Sequence, residues 1–291
     1  LVYLRQHPKQ VRSLILQGAV PTNSFLPRDF ASDNERALQL LIDECTADQA
    51  CNKEFPNLRT EAKTLLDRLL KGPVEVEIPT GNSSTAAPAT ARVKLSRELA
   101  AETIRYMLYN PGGARRVPLF LHQAATGNFV PLTQLALGFR QGIVATGSNG
   151  MYLSITCAED LPWIKPGEGE RRSENTFLGD YRIRQQREAC ALWPRAKIPS
   201  GYAGPVRGTA PVLILTGNLD PVTPPANGEA VGSHLPNSMH VVVPYGGHGF
   251  GGLDGIECIE RLMAEFLEMG STKDLDTGCV KNIRRKPFTL K

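Results

Sequence analysis

The stretch PVLILTGNLDPVTPP, Pro211–Pro225, reads as a strand followed by its exit loop. Val212–Leu215 is a short aliphatic run closed by Gly217, the pattern of a strand covered on both faces. Asp220 lies in the loop that leaves it. Further along, SMHVVVPY (Ser238–Tyr245) reads as a second strand that runs into GGHGF, with His248 just beyond its end. PPANGEAVGSHLP, between the two strands, holds a short helix. LDGIECIERLMAEFLEMG (Leu253–Gly270) has helical periodicity, which predicts Ile256, Ile259, Leu262, Met263, Phe266 and Leu267 on one face. Far upstream, LVYLRQHPKQ reads as the end of a helix and VRSLILQGAVP (Val11–Pro21) as a buried parallel strand. Helix alternating with apolar strand indicates an α/β sheet.

The intervening region differs. The segments at 29–48, 57–72, 95–110, 114–127 and 131–147 carry apolar residues at helical spacing, as does DYRIRQQREACALW. VEVEIPT and ARVKLS alternate around the low-complexity GNSSTAAPAT, suggesting a hairpin with a loose tip. GMYLSITCAEDLPW reads as extended. The expected organisation is a partial α/β sheet interrupted by a large, mostly helical insertion. Residues 1–23 belong to the sheet, 24–203 form the insertion, and 204–291 return to the sheet.

In open α/β sheets, functional groups gather beyond the carboxyl ends of the strands. Asp220 and His248 each follow a strand, so they arrive at one sheet edge. A carboxylate on one imidazole nitrogen fixes the tautomer and frees the other nitrogen as a general base. Glycines beside His248 suggest room for the ring to swing and for substrate to approach. Taken singly, Asp220 before a proline is a common turn former. Gly247-His248-Gly249-Phe250-Gly251-Gly252 also satisfies G-x-G-x-x-G between strand and helix. No further apolar strand or ribose-binding acid follows, however, and too little chain remains to complete a dinucleotide fold.

Lys and Arg number 33 against 29 Asp and Glu in 291 residues, a formal charge of +4. That balance gives no reason to expect a nucleic-acid partner. No apolar run approaches the roughly 20 residues of a membrane helix. Cys45, Cys51, Cys157, Cys190, Cys258 and Cys279 show no zinc spacing, and neither a metal nor a cofactor is expected. The cysteines fall into three sequence-local pairs, Cys45–Cys51, Cys157–Cys190 and Cys258–Cys279, which suggests disulfides and an oxidising compartment. Other connectivities, and six reduced thiols, remain open.

PVLILTGNLDPVTPP followed by VVVPYGGHG resembles the C-terminal part of a serine α/β-hydrolase. It is most similar to the tripeptidyl aminopeptidase and prolyl aminopeptidase-like group of exported peptidases. HPKQVRSLILQGAVP resembles the helix and strand after the nucleophile elbow of that group, and CAEDLPW, LDTGCV and the local cysteine pairs are similar too. The resemblance implies the chain order Ser, Asp, His, with Asp220 and His248 as the last two members. It implies that the helical insertion is a cap over the site. It also implies that Glu159 or Asp160, in CAED, could bind a peptide's free α-amino group; a surface turn before Pro162 is the plain alternative.

No G-x-S-x-G is found, and TGSNG and TGNSST lack its spacing. The expectation is that the nucleophile and the oxyanion-hole loop lie upstream of Leu1, as would any export signal of a secreted or periplasmic enzyme. The chain by itself would then be inactive. An esterase on the same scaffold, or a non-catalytic binding module, are the alternative readings.

Overall fold

The computed structural model describes residues 1–79 and 90–291. Most of GNSSTAAPAT, and with it the expected hairpin tip, lies outside the described residues. Helix α1 (Val2–Gln6) leads to strand β1 (Leu14–Gln17). A long helical stretch follows: α2 (Phe30–Ala47), α3 (Gln49–Glu54) and α4 (Leu58–Leu70). The strands β2 (Val74–Pro79) and β3 (Thr90–Leu95) come next, then α5 (Arg97–Met107), α6 (Pro111–Ala114), α7 (Val117–Ala125) and α8 (Val130–Thr146). After α9 (Asn149–Glu159), α10 (Glu168–Arg172) and α11 (Tyr181–Leu192), the chain re-enters the sheet with β4 (Val212–Gly217). Helix α12 (Pro225–Gly232), β5 (Ser238–Val243) and α13 (Glu257–Met269) complete it.

The sheet is parallel, in the order β1-β4-β5, with Leu14 opposite Val212 and Val212 opposite Ser238. The central position of β4 explains its sequence. Every residue of Val212–Gly217 is buried, because neighbours flank the strand and helices cover both faces. Alternate side chains point opposite ways. Leu213 and Leu215 pack with Ile259, Leu262 and Phe266 of α13. Val212 and Ile214 pack with Leu4 of α1, Val231 of α12 and the following Leu235. The helical region has its own core, in which Leu41 of α2, Leu65 of α4, Ile104 of α5 and Leu121 of α7 are almost fully buried. β2 and β3 pair antiparallel, with Val74 opposite Leu95, and add Val76 and Ile78 to that core.

Three expectations require correction. Val11–Pro21 contracts to a four-residue strand that is only half-buried, because β1 has β4 as its one neighbour among the described residues. GMYLSITCAEDLPW is helical, forming α9 and a short turn at Leu161–Trp163. Its buried residues Thr156, Cys157 and Ala158 face the rest of the chain, and the Thr156 hydroxyl donates to the Tyr152 carbonyl. The β-branched hydroxyl is therefore satisfied within the helix rather than favouring a strand. On α13, Leu267 is 49% exposed, since the buried stripe runs through Ile259, Leu262 and Phe266 and ends one residue short of it.

The six cysteines form Cys45–Cys51, Cys157–Cys190 and Cys258–Cys279, with separations of 6, 33 and 21 residues. The first ties α2 to α3, the second α9 to α11, and the third α13 to the C-terminal turn. No described helix is long and apolar enough to cross a membrane.

Cross-link stabilisation grows with the loop it closes. Replacing Cys157 and Cys190 by Ser is expected to lower the unfolding free energy by about 3–4 kcal/mol, against about 2 kcal/mol for the Cys45 and Cys51 pair. Urea midpoints of the two double variants check the order.

Candidate active site

The exit loops of β4 and β5 meet backbone to backbone. Asn218 N–H donates to the Val243 carbonyl at 3.0 Å and Leu219 N–H to the Gly246 carbonyl at 2.7 Å. A Cβ on Gly217 would collide with the carbonyl oxygens of Gly246 and Gly247, so only glycine lets the loops close to this distance.

The closure sets the acid against the imidazole. Asp220 is 1% exposed. Its Oδ1 accepts the backbone N–H groups of Val222 (2.8 Å) and Thr223 (2.9 Å), an Asx turn that fixes the carboxylate plane. Its Oδ2 accepts the Thr223 hydroxyl at 2.7 Å and lies 3.0 Å from His248 Nδ1. From behind, the Arg36 guanidinium of α2 donates to the backbone carbonyls of Asn218 and Asp220. Among the described residues, the imidazole's own hydrogen-bond partners, Asp220 and Thr223, both meet it at Nδ1. With that nitrogen donating to the carboxylate, Nε2 is the basic nitrogen.

Burial pushes the Asp220 carboxyl up. The His248 ring and the N–H and hydroxyl of Thr223 more than offset this and hold it below the ordinary carboxylate value. The Asp220 hydrogen bond raises the His248 pKa against the opposing effects of burial and the Arg105 charge.

The glycines around His248 give its loop close packing rather than freedom. A Cβ on Gly247 would run into the carbonyl oxygens of Leu108 and Tyr109. Gly249 N–H donates to the Tyr109 carbonyl at 2.8 Å, and Gln17 at the end of β1 donates to the His248 carbonyl. The expected swinging ring is instead a ring on a clamped backbone, with 40% of its side chain exposed.

Glu159 and Asp160 lie elsewhere. Glu159 accepts the Tyr202 hydroxyl at 2.5 Å. Asp160 is pushed up to about 7, chiefly by burial, with the Leu26 backbone N–H opposing and Glu159 adding to the rise. Among the described residues neither forms a hydrogen bond or ion pair with Asp220 or His248. Asp160 thus meets the loop that follows β1, and Glu159 meets the segment before β4. A cleft of about 1100 Å³, lined by Glu35, Arg59, Arg97 and Glu170 among others, touches neither Asp220 nor His248.

Thr223, Arg36, Tyr109 and Arg105 are absent from the sequence reading. Thr223 had a local signal, since D-P-V-T places a hydroxyl where an Asx turn bonds it. The other three reach the site from helices distant in sequence.

Residues 175–279 match the sequence model of the TAP-like protein family of α/β-hydrolases. The matched stretch, the C-terminal third of the chain, contains β4, Asp220, β5, His248 and α13 and resembles that family. No curated protein matches the chain.

The His248–Asp220 pair has a defined pH signature. His248 is raised, so its contribution to stability is present below its ordinary 6.5 and lost as pH rises through the folded value. Asp220 is lowered, so its contribution is present above its ordinary 3.8 and lost as pH falls through the folded value. Asp220→Asn is therefore expected to destabilise most between those two values and to lower the His248 pKa. Thermal unfolding across pH and an NMR titration of the ring measure both effects.

Proposed function

We propose that this chain supplies the acid and the general base of a Ser-His-Asp hydrolase. The whole enzyme releases short peptides or residues from free N-termini through an acyl-enzyme. The observation that carries the reading is the buried Asp220 carboxylate, held by three donors besides the ring and 3.0 Å from His248 Nδ1. That arrangement suits a base that must gain a proton transiently while its tautomer stays fixed.

In this reading the nucleophilic serine and the oxyanion-hole loop come from sequence preceding α1. The serine oxygen attacks the scissile carbonyl carbon, and its proton passes to His248 Nε2. The imidazolium, stabilised by Asp220, returns that proton to the leaving amine as the carbon–nitrogen bond breaks. Water then repeats the sequence on the acyl-enzyme and regenerates the serine. The helical region covers the site as a cap and excludes bulk water. Glu159 and Asp160 are the proposed partners of the substrate's α-ammonium, since a carboxylate and an ammonium form a charge-assisted pair. The three disulfides support a working place outside the reducing cytosol.

The test uses protein extended by its upstream coding sequence, assayed on a tripeptidyl amide and on a simple ester. His248→Ala is expected to abolish labelling by a fluorophosphonate probe. Asp220→Asn is expected to fold and to lose turnover by a factor of order 10⁴, as in the serine-protease template. His240→Gln, whose ring bonds Thr216 within the sheet, is expected to stay within about tenfold. Turnover of the ester with none of the amide would replace the peptidase reading by an esterase. Full activity in His248→Ala would reject the base.

A further inference from the structure

The catalytic pair is gripped from a third side, by the end of α5. Tyr109 lies two residues past the last turn of that helix, where carbonyls have no intrahelical partner. Its carbonyl accepts Gly249 N–H at 2.8 Å. Its ring meets the His248 imidazole edge-on, with centroids 5.4 Å apart and planes at 64°, the geometry favoured between aromatic rings.

The tyrosine is itself held. Its hydroxyl accepts from Arg105 Nη1 at 2.5 Å. Arg105 is 3% exposed. Its Nε donates to Glu102 at 2.8 Å, and its guanidinium lies over the rings of Phe30, Tyr106 and Tyr109. Glu102 also accepts the Tyr181 hydroxyl and faces Arg182 of α11. A buried cation with an ion-pair partner and aromatic faces around it cannot shift without uncovering charge. α2, α5 and α11 therefore converge on the Arg105–Glu102 pair, whose guanidinium fixes one phenol, which abuts one imidazole.

The geometry points to Tyr109, fixed by Arg105 and Glu102, as a positioning residue that holds the His248 ring against Asp220. It limits the tilt of the imidazole on the side that Asp220 and Thr223 leave free. The inference deepens the reading of His248 as a general base, because a base is useful only in the orientation that aims Nε2 at its proton donor.

The test is made on the 291-residue chain and needs no turnover. The low-field Nδ1 proton of His248, seen by NMR, reports the hydrogen bond to Asp220 through its exchange with water. Tyr109→Leu keeps an apolar side chain but removes the aromatic edge and the hydroxyl. It is expected to speed that exchange by about tenfold or more, as local opening does. Tyr109→Phe restores the edge without the tether and is expected to fall between Leu and wild type. Phe120→Leu, a core change in α7 away from the site, is expected to lower global stability and leave the signal unchanged. An unaltered exchange rate in Tyr109→Leu, or an equal loss in Phe120→Leu, overturns the inference. Should Tyr109→Leu fail to fold by circular dichroism, Tyr109→Phe decides it, since an exchange rate equal to wild type removes the tether's role. The signal reads the geometry of the pair, so an extended protein without peptidase activity would undo the functional reading and leave this one standing.

Discussion

Two strand-exit loops approach at Gly217 until their backbones touch, and the site is a consequence of that contact. The strands are parallel and in register, with Gly217 opposite Val243, so their exits emerge at the same level. Register alone would bring the loops near each other. The missing Cβ at position 217 lets the carbonyls of Gly246 and Gly247 close over it. The 3.0 Å separation of Asp220 and His248 is then a property of the backbone. Neither side chain has to reach, and little rotamer entropy remains to be lost when they pair.

The helical region completes this frame. Arg36 of α2 donates to the carbonyls of the acid loop from one side, and the chain just past α5 receives the His248 loop on the other. The polar groups of both loops are thereby satisfied where burial would otherwise make them costly. A hydrophobic core that includes α2, α4, α5 and α7 lies behind these contacts. The sheet has its own cores, built from β4, β5, α1, α12 and α13.

The parts of this arrangement that the sequence disclosed are those with a local cause. Val212–Leu215 reads as a buried strand because the run is wholly aliphatic, and Asp220 and His248 follow their strands directly. α13 was legible from its apolar period, apart from Leu267, where the stripe ends before the period does. GMYLSITCAEDLPW misled because Ile155 and Thr156 favour strands in isolation, whereas the Cys157–Cys190 link and burial against α11 settle a helix. Tyr109 and Arg105 carried no signal. Their spacing fits any amphipathic helix, and their partners include the distant Phe30 and His248, while Tyr181 and Arg182 meet Glu102, the ion-pair partner of Arg105. Such residues become visible only when the fold brings distant segments to one guanidinium.

The same guanidinium bears on the electrostatics of the imidazole. Asp220 favours the imidazolium through its hydrogen bond and its charge. A general base works best when its pKa lies near the operating pH. Burial of the ring and the positive charge of Arg105 both oppose Asp220. Arg105 cannot relinquish that charge, since Glu102 and three aromatic rings favour the cation. The raised His248 pKa is therefore the difference between a strong hydrogen bond and two restraints, and one restraint sits on the residue that fixes Tyr109. Orientation and basicity of the imidazole are coupled through a single side chain, so a substitution at Arg105 cannot change one without the other.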